Sequence, residues 1–240
     1  MSRAQPLYLR ARWIVPVGRR PIEDGWLRIE RGRIAAIGRR RLTGNPPSGQ
    51  SIDLGDAIIL PGLVNAHTHL EFSDLERPLD AEGGLPGWIA RVVVLRRARP
   101  TGDAAEARLV AALRAGLAES LSHGVTTIGE IATAAPRGGY PPVGPRLRVY
   151  REALGLSFLG GSLPGGIARD LDRLGDSAGI SPHAPMTVSK ALGRALLREA
   201  ARRDLPVTMH LAESLAELAY VTGGGGPFCD LFATLGAWPA

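Results

Sequence analysis

The sequence predicts an α/β protein in which repeated βα units build a parallel sheet or a barrel, about five strands of it, behind a small all-β module. Three observations carry this reading. Residues 1–57 hold short alternating strand patterns and no helical period. From residue 58 onward, apolar strand-like runs alternate with segments of helical period, as they do when helices cover a parallel sheet. Finally, residues 58–240 fall short of the ~250 that a complete eight-stranded (β/α) barrel takes. The expected domains are therefore 1–57 and 58–240.

Taken in order, LYLRARWIV (7–15) alternates apolar and polar residues, and WLRIE (26–30) and RIAAIG (33–38) flank an Arg-Gly turn as a hairpin does. TGNPPSGQ (43–50) has loop composition, and SIDLGDAIIL (51–60) returns to strand character. AIILPGLVNAH is a nearly continuous apolar run, the mark of a buried parallel strand. LPGWIARVVVLRRA (85–98) and AAEARLVAALRAGLAESLSHG (104–124) have helical period, the second stopping at His123-Gly124. GVTTIGEIA (124–132) and LRVYREALG (147–155) are strands, GIARDLDRLGD (166–176) a helix, and AGISPHAP (178–185) a short strand. TVSKALGRALLREAARRD (187–204) opens on a Thr or Ser cap and runs as an amphipathic helix. LPVTMHLAE (205–213) is the fifth strand, and SLAELAYVTGG begins the next helix.

Composition narrows the function. The net charge is +6, and Lys190 is the only lysine. The arginines are scattered in short groups such as Arg39–Arg41 and Arg96–Arg97, and aromatic residues make up 5%. No basic stripe interleaved with aromatics exists, which argues against a nucleic-acid partner. No run approaches the ~18 apolar residues of a membrane span, and arginines interrupt the N-terminal apolar stretch, so no signal-peptide core is present. The expected location is the cytoplasm. Cys229 is the single cysteine, so any metal must be held by histidine and carboxylate. GGGGP (223–227) lacks the spacing and lysine of a phosphate loop and reads as a connection.

The chemistry concentrates at strand ends. In PGLVNAHTHLEFSDL, His67 and His69 stand two apart, and residues i and i+2 of a strand share a face. Two imidazoles so placed are either an ordinary polar pair at a strand end or ligands to Zn²⁺ or Fe²⁺. In VTMHLAES, His210 offers a third ligand, provided the strand ends near Leu211. Glu213 can then return over the site as a proton shuttle, unless it only favours a helix's first turn. His183 in SPHAP also ends a strand, stiffened by Pro182 and Pro185, and reads as a site residue or as a capping or packing one.

In their order along the chain, GRIAAIG, IDLGDAIILPGLVNAHTHLEFSDL, GVTTIGEIA, SPHAPMTVS and MHLAESLAEL resemble the metal-dependent amidohydrolase superfamily. Within it they are similar to the cytosine, guanine, S-adenosylhomocysteine and aminofutalosine deaminase-like branch. The resemblance implies a TIM-type (β/α) barrel behind a composite β-sandwich module. It implies one divalent metal ion, Zn²⁺ or Fe²⁺, held by His67, His69 and His210, with Glu213 moving protons and His183 contacting a small-molecule substrate. Glu71 and Trp88 lie where the pocket would be lined, Trp88 more as core than as contact. A metal held there would supply hydroxide from water near neutral pH, that hydroxide would add to a C–NH₂ carbon, and Glu213 would protonate the departing amine. The same groups also serve hydrolysis of a cyclic amide or imine, or of a heteroaromatic C–Cl bond. A bridging carboxylated lysine is not expected, because Lys190 lies in helix-like sequence.

The family pattern continues with a histidine after the sixth strand and an aspartate after the eighth, whereas this sequence stops at LGAWPA. The chain is therefore expected to be the N-terminal part of a longer enzyme and inactive alone, or else an inert piece. With an unpaired sheet edge, it is expected to aggregate or form a homo-oligomer.

Overall fold

Alternation along LYLRARWI becomes strand β1 (Leu7–Ile14), which buries Tyr8 and Ile14 on one face and Ala11 on the other. β2 (Ile22–Glu30) and β3 (Arg33–Arg39) follow, each antiparallel to its predecessor. Their hairpin turns on Arg31 and Gly32, with φ of 51° and 73°. Positive φ at both central residues gives the turn whose twist matches that of the flanking strands. β4 (Gln50–Asp53) and β5 (Ile58–Ile59) both pair parallel with β1. This computed structural model describes residues 5–39, 50–155 and 163–236, so positions 43–49 of the expected loop lie outside it.

The apolar run from Ala57 to His67 is not the single buried strand expected from sequence. β5 belongs to the first sheet, and β6 (Leu63–Thr68) opens a second one. Pro61, which has no N–H for a ladder, stands between them. The two compact units accordingly divide between Gly62 and Leu63. β6 is an edge strand of the second sheet among the described residues, so Leu63 and Val64 are exposed rather than buried.

The second unit is a parallel sheet in the order β6, β7 (Val125–Ala132), β8 (Arg146–Ala153) and β9 (Ala178–Pro182). The fifth strand of the sequence reading is short. Ile180 of β9 donates its N–H to Pro206 O at 3.0 Å and accepts from Thr208 N at 3.1 Å, giving one bridge to Val207. Helices α1 (Gly84–Ala98) and α2 (Gly102–Ser122) join β6 to β7. α3 (Gly165–Leu174) precedes β9, and α4 (Lys190–Arg203), α5 (Leu215–Gly223) and α6 (Pro227–Thr234) follow it. Gly124, at φ +80°, ends the α2 region in a conformation that suits glycine. Ser189 caps α4 by accepting from Leu192 N at 3.1 Å.

Ile180, Leu171, Leu192 and Leu196 pack β9 against α3 and α4 and are fully buried. Each such side chain contributes about 1.5–3 kcal/mol by leaving water. Parallel pairing has a consequence for function: the carboxyl ends of β6 to β9 lie along one edge of the sheet. His69, Thr133, Leu154 and His183 come directly after or near those ends. Adjacent residues of a strand point to opposite faces. On β8, Arg151 reaches Asp170 of α3 at 2.6 Å, while Glu152 turns the other way.

Candidate metal centre

His67 lies near the end of β6, and His69 opens the turn Leu70–Phe72 beyond it. His210 lies on the extended segment beside β9, its N–H bonded to His183 O at 2.9 Å. The ring centroids of His67 and His210 are 4.6 Å apart, and His69 stands 5.4 Å from each of them. One potential ligand atom from each ring lies within 4.8 Å of the other two. Separate strand ends therefore bring together the three imidazoles that the sequence singled out.

The nitrogens fit a cation. His69 Nδ1 and His210 Nε2 are buried and have no hydrogen-bond partner among the described residues. A buried polar atom left unmatched costs about 1–3 kcal/mol, which a ligated ion would relieve. Burial pushes His69 down to about 4 and lowers His67, so both are neutral near pH 7 and need not shed a proton to bind metal. His210 is held above its ordinary value, by Glu152 first and Glu213 after it. His210 Nδ1 is 3.1 Å from Glu213 Oε1, so that N–H donates to the carboxylate and Nε2 keeps its lone pair.

Glu213 is steered by its surroundings. Ala212 has a left-handed φ of 58°, which turns the chain after Leu211. Buried Glu217 accepts from Ala212 N at 3.0 Å and Glu213 N at 2.7 Å, while its own N–H donates to Ser214 Oγ at 3.1 Å. The Ser214 cap starts α5, and the Glu217 carboxylate fixes the backbone that carries Glu213.

His183 Nδ1 is 2.6 Å from Thr187 Oγ1, whose hydroxyl donates to Ala184 O at 3.2 Å. Thr187 therefore accepts from Nδ1–H, and His183 Nε2 faces the site, 4.0 Å from Glu152 Oε1. Burial lowers the His183 pKa, with Glu152 acting against it.

Glu152 is the residue that sequence reasoning missed. It is buried, and its Oε1 lies 3.6 Å from His210 Nε2, beyond hydrogen-bonding distance. Burial would raise its carboxyl, but His210, His183, His69 and Arg96 together bring it below the usual value. The signal for it was an acid at the end of the apolar strand read from LRVYREALG. Glu130 on β7 is also buried, but it accepts from Leu70 N at 2.9 Å and serves the turn after His69.

A cavity of about 680 Å³ opens beside the histidines, with Trp88, Ile89 and Val92 of α1 on one wall and Phe232 of α6 nearby. Glu71, which the sequence put at the pocket wall, is buried behind it instead. Its carboxylate holds Arg96 at 2.6 Å and Arg99 at 3.2 Å and accepts from Thr133 Oγ1 at 3.1 Å. Cys229 stands apart, its thiol donating to Gly224 O at 3.0 Å, and Lys190 is the first residue of α4. The glycines from 223 join α5 to α6.

Residues 58–232 match the family model described as Amidohydrolase family. A 5-methylthioadenosine/S-adenosylhomocysteine deaminase of Nitratidesulfovibrio vulgaris (strain Hildenborough) is 31% identical over 233 residues, covering 87% of this chain and 50% of that protein. Among solved structures, the aminofutalosine deaminase of Helicobacter pylori in complex with methylthio-coformycin superposes with a TM-score of 0.70 at 22% identity, covering 94% of this chain and 55% of that one. An adenosine deaminase of Xanthomonas campestris with bound zinc superposes with a TM-score of 0.61 at 22% identity, covering 96% and 55%. This chain thus spans about half the length of the relatives it matches, and its fold is part of the barrel they share.

Proposed function

This chain belongs to the amidohydrolase family, and on that premise we propose that it carries the metal-binding part of an aminohydrolase that releases ammonia from a nucleobase- or nucleoside-like substrate, adenine nucleosides first. The observation that carries the reading is the convergence of His67, His69 and His210 with two buried, unmatched nitrogens, beside Glu213. The three imidazoles would hold one divalent ion, and the donor set favours zinc, the metal of the Xanthomonas structure. When bound, such an ion supplies the means to ionise a water near neutral pH.

The remaining steps fall to side chains of this chain. Glu213 takes a proton from the attacking water and delivers it to the departing amine, and its contact with His210 supports this by keeping it beside the ligand set. His183 directs Nε2 toward the substrate ring. The apolar wall of Trp88, Ile89 and Val92 receives the face of the base and sheds water from it. Among the described residues no helix is long and apolar enough to cross a membrane. A small-molecule substrate and a cytoplasmic location complete the reading.

The test is metal analysis with an ammonia-release screen on the protein at its full encoded length, using aminopurines, aminopyrimidines and their nucleosides. Zinc should co-purify, and Glu213→Gln should keep the metal while losing about 10²–10⁴-fold in kcat. Ammonia from none of these compounds would sink the assignment.

A further inference from the structure

We propose that the outer face of β8 carries a binding site for a small organic anion, with a flat apolar body and one acidic head, distinct from the candidate metal centre. Strand alternation separates the two. Glu152 faces the histidines, whereas Arg151 points to the other side of the sheet and bonds Asp170 of α3. A cavity of about 780 Å³ lies on this outer side, within the roughly 300–1,000 Å³ of ligand pockets. None of the described residues lining it also lines the cavity beside the histidines.

The cavity exists because one crossover lacks a helix. Parallel strands are usually joined by a connection that lays a helix over the sheet. Residues 133–145, which join β7 to β8, contain none. Leu147 and Val149 of β8 and Leu174 of α3 give the cavity an apolar lining. The connection itself supplies the rest, stiffened by Pro136, Pro142 and Pro145. Gly144, at φ +102°, brings it against Leu117 of α2, where an added Cβ would come within 3.3 Å. A wall fixed in this way loses little freedom when a ligand enters.

Charge selects the ligand. Arg137, Arg146 and Arg173 are the charged side chains among the described lining residues, and no acid is among them. Arg137 is matched by Asp103 at 2.7 Å and Glu106 at 3.6 Å. Arg173 shares Asp170 with Arg151. Arg146 has no ion pair and no side-chain hydrogen bond among the described residues. β8 begins at Arg146 and α3 ends just after Arg173, so both lie toward the amino edge of the sheet, the edge opposite the metal centre. The acidic head belongs at that end, with one unpaired guanidinium and one that shares its carboxylate. The Tyr140 ring also lines the cavity, and its buried hydroxyl lacks a partner among the described residues. A flat ring stacks well on such a wall.

Titration calorimetry on the protein at its full encoded length tests this with 2-naphthoate and 2-naphthyl phosphate against the uncharged 2-naphthamide, each with and without a metal chelator. At least one acid should bind about 5–20-fold more tightly than the amide, a charge-assisted pair discounted for the exposure of Arg146. The better acid identifies the head that the site prefers. Arg146→Met should bring the acids and the amide within about twofold. Gly138→Trp, at a lining position where an added Cβ meets nothing within 4 Å, should fill the cavity and weaken all three ligands by more than about tenfold. Both variants should melt within about 2 °C of wild type, and the chelator should leave every affinity unchanged. Absence of binding, equal binding of acids and amide, an acid preference that survives Arg146→Met, or binding that the chelator abolishes overturns the inference.

Discussion

Gly129 offers the sharpest test of how the metal centre is built. It lies on β7 beside the stretch of β6 that carries His67, where the register between the two strands is irregular from Asn65 to Thr68. A methyl group at position 129 would fall 2.2 Å from Ala66 O and 2.8 Å from Ala66 C. Restoring an ordinary carbon–oxygen contact needs about 1 Å of movement, and the opposing atoms are backbone, which yields only if β6 shifts as a unit. Ala66 is bonded directly to His67, so the shift reaches the first of the three candidate ligands. Zinc sites tolerate about 0.2 Å in their ligand distances. We therefore expect Gly129→Ala to cost about 1–3 kcal/mol from overpacking, a fall in Tm of about 2–12 °C for a unit of this size. Zinc affinity should fall about 10–100-fold, as when the support behind a ligand is lost. Scanning calorimetry and chelator competition measure the two effects. A variant that melts within about 1 °C of wild type and binds zinc within about twofold would show that β6 and β7 are not in this close register.

Two other predictions follow from buried carboxyl groups. Glu217→Ala removes the acceptor for the Ala212 and Glu213 N–H groups. It should cost about 1–2 kcal/mol and, in steady-state assays, lower kcat by about tenfold while zinc affinity stays within about threefold. Glu130, raised by burial, binds its proton more tightly in the folded than in the unfolded state. Its contribution is therefore complete below the ordinary carboxyl pKa and is lost as pH rises through the raised folded value. Glu130→Gln keeps an acceptor for Leu70 N and cannot ionise, so it should match wild type in denaturant titrations near about pH 5 and exceed it near about pH 8. Equal stability of the two proteins at the higher pH would refute the assignment.

By itself the sequence determined the kinds of element and picked out the candidate ligands. The periods of two and 3.6 reflect which faces of a strand or helix meet water, and they were enough to identify the Arg31–Gly32 hairpin, the long helices α2 and α4, and the strand that places His183. The His-x-His spacing was legible for the same reason, since it depends only on the pleat of one strand. Tertiary structure alone decided the rest. The 57–67 run splits because β5 finds its partner in β1, some 45 residues earlier, and apolar character says nothing about which sheet a residue joins. Glu152 joins the site, and Glu71 leaves the pocket wall for Arg96, through contacts that span 58 and 25 residues. Local pattern records that a side chain is charged. Whether the charge faces an ion, a guanidinium or water depends on which distant strand ends the parallel sheet brings to its edge.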